Sequence, residues 1–225
     1  MSSKALTLSI VIPVYNDQDH IGKCLESIMR QSVNLNQVIV VDNNCSDNSM
    51  KIVKSFADVK IIQERNQGIV YARNAGFNAC SSDVIARIDA DTIVPHNWVK
   101  DILEQMQELP DMVAVTGPCS FRGKIPHFLT FWSHRVVYFW SSRILFGHQT
   151  LFGSNMFVTR RAWQKVKNSV CLRNDIHEDM DLAVHLNLVG VPVKFNKNFT
   201  ASVCNRRFKN WSHYPKMWLK TKLVH

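Results

Sequence analysis

Short apolar runs rich in β-branched residues recur along the first half of the chain, and polar or turn-forming residues follow them. The runs are Leu8–Tyr15, Val38–Val41, Val59–Ile62, Val84–Ile88 and Met112–Thr116. Runs of this length and composition are typical of buried strands. They constrain the fold more than any other feature of the sequence.

Segments with helical periodicity lie between these runs. In the first such segment the apolar residues fall on one helical face, at Ile21, Cys24, Leu25, Ile28 and Met29. We expect Asn16 or Asp17 to cap this helix, and Ser46 or Asp47 to begin the next. Strands that alternate with amphipathic helices form βαβ units. The sequence therefore predicts an α/β fold with a Rossmann-like, mainly parallel central sheet flanked by helices.

The second half of the chain has a different pattern. Residues 125–152 hold eight of the 22 aromatic residues, interleaved with Arg and His. Polar residues recur there at near-helical spacing, at His127, Thr130, His134 and Ser141. This pattern predicts an aromatic-rich amphipathic helical segment. Beyond it we expect a strand at Asn155–Thr159 and a helix at Glu178–Gly190.

Two carboxylates, Asp89 and Asp91, follow the fourth apolar run. The carboxyl ends of parallel strands share one edge of an open α/β sheet, and ligands bind at that edge. Two hard oxygen ligands suit Mg²⁺ or Mn²⁺, which takes its remaining ligands from water and substrate phosphates. The pair is also compatible with a purely structural role, as a strand end followed by a helix cap. The surrounding residues are needed to distinguish the two interpretations.

Other polar residues are expected at the same edge. Tyr15, just after Pro13, offers a flat face to a base, and a buried carboxylate at Asp42 can accept N–H groups from a pyrimidine. Arg73 lies on the helix that follows the turn at 66–68. The structural alternatives are packing for Tyr15, capping for Asp42 and a solvated charge for Arg73. Neither a Gly-x-Gly-x-x-Gly nor a Walker loop is present, which favours a nucleoside diphosphate held by a metal.

Several blocks of the sequence resemble family 2 glycosyltransferases. In chain order they are Ile10–Asn16, Val40–Asp47, Asn66–Gly76, Asp89–Asp91, Gly153–Arg161 and Glu178–Leu182. The resemblance runs from about Leu8 to Phe208 and implies a fold of the GT-A type. It also implies an inverting, metal-dependent transfer of a sugar from a nucleotide-diphosphate sugar, with a UDP-sugar expected. The acceptor would be the hydroxyl of a glycan, lipid-linked or part of the cell envelope.

The residues and the resemblance together assign roles in nucleotide-sugar binding. These fall to Pro13, Tyr15, Asp42, Arg73, Asp89, Arg206 and Arg207. The resemblance implies that Asp42 and Arg73 hold the base, and that Asp89 and Asp91 bind the ribose and the metal diphosphate. Asp91, together with Asp89, is the expected metal ligand. The pair Arg206-Arg207 is expected to reach the diphosphate, although a solvated basic face is the structural alternative.

Glu178 and Asp179 are the candidate catalytic residues. They begin a predicted helix, where carboxylates also complement the helix dipole. The resemblance implies that Asp179 is the general base that accepts the proton of the acceptor hydroxyl. The chain departs from the family pattern twice. Asn43 stands where a second acid often follows Asp42, which leaves the base preference open, and residues 172–177 replace a Gly-Gly-Phe-Asp block near the acceptor.

The net charge of +9 is concentrated at one end of the chain. Residues 194–225 contain eight Lys and Arg and no Asp or Glu, which leaves 19 basic against 18 acidic residues elsewhere. Such a segment points to phosphates or to an anionic surface. We expect a nucleotide-sugar-binding half at 1–118, an acceptor-binding half of the same domain at 119–208, and a basic extension at 209–225.

Cysteine usage and hydropathy bear on the compartment. The six cysteines are scattered without a Cys-x-x-Cys pair, and no run of 18 apolar residues occurs. We therefore expect reduced thiols, no signal peptide and a cytoplasmic protein, with peripheral attachment to the inner face of the cytoplasmic membrane as an extension of that hypothesis.

Three alternatives compete with the glycosyltransferase hypothesis. A nucleotidyltransferase would carry a glycine-rich basic loop after the first strand, and residues 13–20 lack one. A basic nucleic-acid- or membrane-binding module without catalysis would account for the charge. However, the basic residues do not fall on a recognisable reading helix, so no nucleic acid is expected as a partner. A degenerate relative would lack some of the carboxylates, and all of them are present.

Overall fold

The computed structural model describes residues 6–122, 138–204 and 213–225. Ten strands lie in this part of the chain: β1 (Leu8–Val14), β2 (Gln37–Asp42), β3 (Val59–Gln63), β4 (Val84–Arg87), β5 (Thr92–Ile93), β6 (Ala114–Thr116), β7 (Cys119–Arg122), β8 (Met156–Thr159), β9 (Val193–Phe195) and β10 (Ala201–Cys204). The helices are α1 (Ile21–Met29), α2 (Ser49–Val53), α3 (Ile69–Asn78), α4 (Trp98–Met106), α5 (Phe139–Phe146), α6 (Arg160–Val166), α7 (Glu178–Leu188) and α8 (His213–Val224).

Seven strands form the main sheet in the order β3-β2-β1-β4-β8-β6-β9. All neighbours pair in parallel except β8, which is antiparallel to β4 and to β6. The predicted mainly parallel α/β sheet is confirmed. In the register, Val14 lies opposite Asp42 and Val11 lies opposite Arg87. The carboxyl ends of β1, β2 and β4 therefore meet at one edge of the sheet, as the sequence predicted.

The sheet is buried on both faces because alternate residues of each strand pack against different helices. On one face, Ile10 and Ile12 of β1 join a core that includes Leu25 of α1 and Ile102 of α4. On the other face, Val11 packs in a core with residues of α3, α6 and α7. Alternation of this kind follows from the two-residue period of a strand. The result is a three-layer arrangement of helix, sheet and helix.

Some predicted details differ from the structure. Helix α1 begins at Ile21 and its N-cap, His20, makes no side-chain capping bond, so neither Asn16 nor Asp17 caps it. Instead, the main-chain carbonyl of Asp17 accepts the N–H groups of His20 and Ile21. The sequence did not predict the small second sheet, ordered β5-β10-β7, or the helices α6 and α8. Strands of two to four residues are too short for a hydrophobic period to mark them.

The aromatic-rich segment is described only from residue 138 onward, so His127, Thr130 and His134 lie outside the described residues. Within the described part, α5 is helical as predicted. Phe139 and Phe146 are buried, whereas Trp140 and Ile144 are 66% and 65% exposed. Part of this segment is therefore core, and part of it is presented to the surface. No helix in the described ranges is long and apolar enough to cross a membrane.

Candidate active site

A buried arginine lies at the centre of the candidate site. Arg87 is the last residue of β4 and is only 1% exposed. Its guanidinium pairs with the Asp89 carboxylate (Nη2–Oδ1 2.9 Å), with Glu178 (Nη2–Oε1 3.2 Å) and with Asp179 through Nη1. All three carboxylates are buried. Buried charges need partners of opposite sign, so Arg87 holds together one residue from the β4 end and two from the start of α7.

The loop before β8 completes the surroundings of these carboxylates. The main-chain N–H of Gly153 donates to Asp179 Oδ2 at 2.7 Å, and the Ser154 hydroxyl donates to Asp89 Oδ2. A Cβ atom at Gly153 would overlap Nη1 of Arg87 and lie 2.7 Å from Asp179 Oδ1. Glycine is therefore required here for the close approach of the backbone to the ion-paired cluster. We call Arg87, Asp89, Glu178, Asp179 and the Gly153-Ser154 loop the carboxylate cluster.

The two acids at the start of α7 titrate differently. Burial, opposed by the charge of Arg87 and reinforced by the nearby Glu178 carboxylate, raises the pKa of Asp179 to about 6. Burial also disfavours the charged form of Glu178, but Arg87, His177 and Arg73 outweigh it and lower the Glu178 pKa below its ordinary value. Of two neighbouring carboxyls, the environment thus keeps one ionised and brings the other toward neutral pH.

A second buried arginine, Arg73 on α3, contacts the start of α7. Its Nη1 donates to the main-chain carbonyl of Glu178 at 2.7 Å, and Nε donates to Asn74 Oδ1 at 3.0 Å. The third nitrogen, Nη2, is buried and has no hydrogen-bond partner within the described residues. Burial lowers the pKa of this guanidinium, although Glu178 and Asp179 partly restore it. An unpaired guanidinium nitrogen beside the carboxylate cluster is suited to an anionic or carbonyl oxygen of a ligand.

The nucleotide side of the sheet edge is more open. Tyr15 follows β1 and is 54% exposed, while Pro13 is buried within β1 opposite Val41. Asp42 ends β2, is half-buried and accepts the N–H of Cys45 at 2.9 Å. We call Tyr15, Asp42 and the loops that follow β1 and β2 the donor edge. The donor edge thus presents an exposed aromatic ring and a half-buried carboxylate, the two groups from which the sequence analysis predicted a site for a nucleotide base.

Asn43 explains one departure from the family pattern. It is buried, and its Nδ2 donates to the carbonyl oxygens of Glu64 (2.9 Å) and Asn66 (2.7 Å) while its Oδ1 accepts the N–H of Gly68 (2.9 Å). An amide can donate and accept at once, whereas a carboxylate can only accept. Asn43 therefore fixes the 64–68 loop from within.

The carboxylates fit the predicted metal chemistry through their donor set. Asp91 is buried just after β4, and its main-chain carbonyl accepts Nη2 of Arg122 at 2.7 Å. Asp89 and Asp91 offer hard oxygen donors, the kind of ligand that Mg²⁺ and Mn²⁺ prefer. Asp89 contacts Arg87 and Ser154 with its two oxygens, so a metal there would share this carboxylate with them.

The structure brings four of the predicted site residues into one network. Asp89, Glu178 and Asp179 meet directly through Arg87, and Arg73 contacts the main chain of Glu178. Arg206 and Arg207 lie outside the described residues. The sequence analysis assigned no role to Arg87 or Ser154. An arginine inside an otherwise apolar, β-branched strand was the available signal for Arg87, because a buried charge implies a buried partner.

Comparison with known proteins gives the family. Residues 9–165 match the family described as Glycosyl transferase family 2, and the chain belongs to that family. Its fold, an α/β sheet of mainly parallel strands, is that of GT-A glycosyltransferase structures. The matched segment contains Asp42, Arg73, Asp89 and the Gly153-Ser154 loop, whereas α7 with Glu178 and Asp179 lies beyond it.

Individual relatives cover parts of the chain. "Glycosyltransferase GlyA" of Streptococcus pneumoniae is 29% identical over 118 residues, which are 51% of this chain and 17% of the relative. "Undecaprenyl-phosphate 4-deoxy-4-formamido-L-arabinose transferase" of Proteus mirabilis is 33% identical over 115 residues, 47% of this chain and 35% of the relative. The matched segments thus make up about a sixth and a third of the length of these relatives.

Solved structures match over more of the chain. A mannosyltransferase from Pyrobaculum calidifontis in complex with GDP-Man and Mn²⁺ has a TM-score of 0.74 at 16% identity, covering 97% of this chain and 64% of that one. S. aureus TarS 1–349 in complex with UDP-GlcNAc has a TM-score of 0.68 at 16% identity, covering 89% and 59%. At these identities the likeness establishes the fold.

Proposed function

We propose that the chain transfers a sugar from a nucleotide-diphosphate sugar to an acceptor hydroxyl with inversion at the anomeric carbon. The observation that carries the proposal is the carboxylate cluster. Arg87 joins Asp89, at the end of β4, to Asp179, at the start of α7, in one buried network. A glycosyl transfer needs a carboxylate beside the donor and a base beside the acceptor. Residues that are 90 positions apart in the sequence meet in this arrangement.

Asp179 is the proposed general base. During attack, the acceptor oxygen forms a bond to the anomeric carbon, its proton passes to Asp179, and the diphosphate leaves with the electron pair of the broken bond. A single displacement of this kind inverts the configuration. A base works best when its pKa lies near the working pH, and burial raises the pKa of Asp179 to about 6. Arg87 and the Gly153 N–H hold the carboxylate in place.

Asp91 and Asp89 are the proposed ligands of a divalent metal, Mn²⁺ or Mg²⁺. Such an ion neutralises the charge that develops on a departing diphosphate. The donor set supports this assignment, as do the structural relatives, one of which is in complex with GDP-Man and Mn²⁺ and another with UDP-GlcNAc. We propose a UDP-sugar as the donor, with the uracil against Tyr15 and Asp42, because a carboxylate accepts the N–H of a pyrimidine.

A thermal-shift and calorimetry panel tests the donor side. UDP, GDP and dTDP would each be added with Mn²⁺, with Mg²⁺, and with EDTA in place of a metal. A nucleotide at 100 times its Kd stabilises the native state by about 2.7 kcal/mol, and we expect the UDP effect to depend on the metal. Asp91→Asn should remove that dependence, whereas Asp101→Asn, a change on helix α4, should not. UDP affinity that is unchanged by EDTA and by Asp91→Asn would reject the metal assignment.

For the acceptor, we propose a lipid-linked glycan reached at an anionic membrane surface. Trp140 and Ile144 are exposed one turn apart on α5, and Leu219 and Leu223 are exposed one turn apart on α8. Helices α5 and α8 contact each other. Exposed apolar residues beside lysines are typical of interfacial helices, and each basic residue near an anionic leaflet contributes about 1 kcal/mol. A similar chain acts, by its name, on an undecaprenyl phosphate.

Vesicle co-sedimentation tests the acceptor proposal. The protein should pellet with anionic vesicles at low salt and be released as salt screens the charges. Trp140→Ser with Ile144→Ser should weaken this association without changing UDP affinity, and Met29→Ser, an exposed apolar residue on α1, serves as the matched control. Full activity on a water-soluble acceptor without any vesicle association would exclude the membrane surface.

A further inference from the structure

Four side chains of the kinds that bind metals meet on another side of α7. They are Cys171, from the loop before α7, Asp181 and His185, on α7 itself, and His225, after α8. Asp181 and His185 are one helical turn apart and so lie on one face. Residues two positions apart on a helix differ in direction by about 200°. Asp181 therefore points away from Asp179, and this C-terminal cluster is distinct from the carboxylate cluster.

The distances suit a single ion. One ligand atom from each of the four residues lies within 4.8 Å of every other. Asp181 Oδ1 is 2.9 Å from His225 Nε2 and 3.4 Å from His185 Nε2, and the latter is 3.9 Å from Cys171 Sγ. With bonds of about 2.0–2.3 Å, a tetrahedral ion keeps its ligand atoms roughly 3.3–3.7 Å apart. The observed distances bracket this range, so small side-chain adjustments would complete the geometry.

The cluster does not have the properties of a nucleophilic Cys–His pair. A reactive cysteine sits in an electropositive environment that lowers its pKa. Burial and the Asp181 carboxylate together raise the pKa of Cys171 to about 11. Asp181 is fully buried, and its other oxygen, Oδ2, accepts the N–H of Cys171 at 3.0 Å. This second contact orients the carboxylate in the way that outer-shell partners orient metal ligands.

We propose that Cys171, Asp181, His185 and His225 form a Zn²⁺ site. One thiolate, one carboxylate and two imidazoles are a tetrahedral zinc donor set, and the thiolate disfavours Mg²⁺ and Mn²⁺. The ion would join three segments: the 171–177 loop, α7 and the end of α8. A site with four protein ligands is closed to substrate, so the ion has a structural role.

The proposed ion would act on the neighbourhood of the active site through α8. Thr221 of α8 accepts the N–H of His177 at 2.9 Å, and Lys220 pairs with Asp175 at 2.5 Å. Both contacts fix the segment that leads into Glu178 and Asp179. Zinc binding therefore stabilises α8 against α7 and the loop before it.

Metal analysis and optical titration of the full chain test the site. The protein is stripped with a chelator and titrated with Co²⁺ and then with Zn²⁺. We expect one equivalent to bind, tetrahedral Co²⁺ absorption with a thiolate charge-transfer band, displacement of Co²⁺ by Zn²⁺, and a higher Tm with zinc. Cys171→Ser should abolish the charge-transfer band, whereas Cys45→Ser, a half-buried thiol elsewhere, should retain it.

Variants of the buried ligands, such as Cys171→Ser and His185→Gln, could fail to fold for reasons unrelated to zinc. His225→Ala is a second variant that tests the same site without this problem. His225 follows the last helix, so its truncation leaves the core intact, and we expect at least a tenfold loss of zinc affinity. Zinc binding that is absent in the wild type, or equal in the wild type and His225→Ala, would overturn the proposal. Because zinc binding is measured without a nucleotide, its failure would leave the proposed transferase function untouched.

Discussion

The donor edge and the carboxylate cluster are built from different kinds of contact. At the donor edge, Asp42 accepts a main-chain N–H three residues away, and Asn16 accepts the N–H of Ser46 across an exposed loop. In the carboxylate cluster, Arg87 pairs with a carboxylate 92 positions away, and every participant is buried. The first region stays open and can receive a ligand. In the carboxylate cluster the buried charges stabilise one another, so we expect a single substitution there to have a larger effect than one at the donor edge.

The largest expected effect is on turnover. Asp179→Asn should lower kcat by about 10²–10⁴, the usual contribution of a positioned general base, because the amide cannot accept the proton. Affinity for the nucleotide should hardly change, since the role we propose for Asp179 is to accept the proton of the acceptor hydroxyl. Steady-state kinetics with calorimetry of UDP binding separates the two effects.

Asp175→Asn is the matched control for that change. Asp175 lies four residues earlier, is exposed, and pairs with Arg173 and Lys220. Its substitution should leave kcat within a few-fold of the wild type. If Asp179→Asn retained near-normal transfer, the base would have to be the neighbouring Glu178.

The next effect is on stability. Arg87→Met leaves three buried carboxylates without their shared cation, and loss of one partner of a buried ion pair costs about 3–5 kcal/mol. Urea unfolding measures the difference. Without Arg87 the buried carboxyls of the native state bind protons more readily. The loss of unfolding free energy relative to the wild type should therefore become smaller as the pH falls.

An exposed arginine provides the comparison. Arg161 pairs with Asp111 at 2.7 Å on the surface, and exposed pairs contribute about 0–1 kcal/mol. Arg161→Met should therefore be nearly neutral. Equal losses for Arg87→Met and Arg161→Met would mean that the buried network is not the stabilising feature inferred here.

At the donor edge we expect a smaller loss, from Asn43→Asp. The carboxylate would face two carbonyl oxygens that now receive Nδ2, and unsatisfied buried groups cost about 1–3 kcal/mol. Asn44→Asp is the control, because Asn44 makes only exposed contacts from its side chain and Asp tolerates its φ of 68°. Urea unfolding of both variants should separate them, and an Asn43→Asp protein as stable as Asn44→Asp would contradict the assigned role.

The same contrast explains what could be predicted from the sequence. The shared edge of Tyr15, Asp42 and Asp89 was predictable because these residues follow strands, and parallel strands bring their ends to one edge. The role of Arg87 could not be predicted, because it depends on contacts with α7 and the Gly153 loop, which are distant in the sequence. The fold was predictable for β1–β4, whose apolar runs are clear. It was not for β5, β7 and β10, because each has two to four residues and its pairing depends on tertiary contacts.

The role of Asn43 shows a further limit. The sequence indicated a departure from the family pattern but not its reason, because the three partners of the amide belong to a loop 21–25 residues away. Likewise Cys171, Asp181, His185 and His225 have no recognisable metal-ligand spacing, since they come from a loop, a helix and the end of the chain. Both features require long-range contacts that no local pattern encodes.

The smallest expected effect is on the pH dependence of turnover, and it links the two regions. Asp179 must be ionised to accept a proton, and its pKa is raised to about 6. kcat/KM should therefore be level above pH 6 and fall about tenfold for each unit below it, which corresponds to about 1.4 kcal/mol per unit. Because the Glu178 charge raises this pKa, Glu178→Gln should move the acid limb to lower pH. UDP affinity measured over the same range should not follow the limb, because Asp42 and Tyr15 lie on the donor edge. An acid limb that keeps its position in Glu178→Gln would show that a group other than Asp179 controls it.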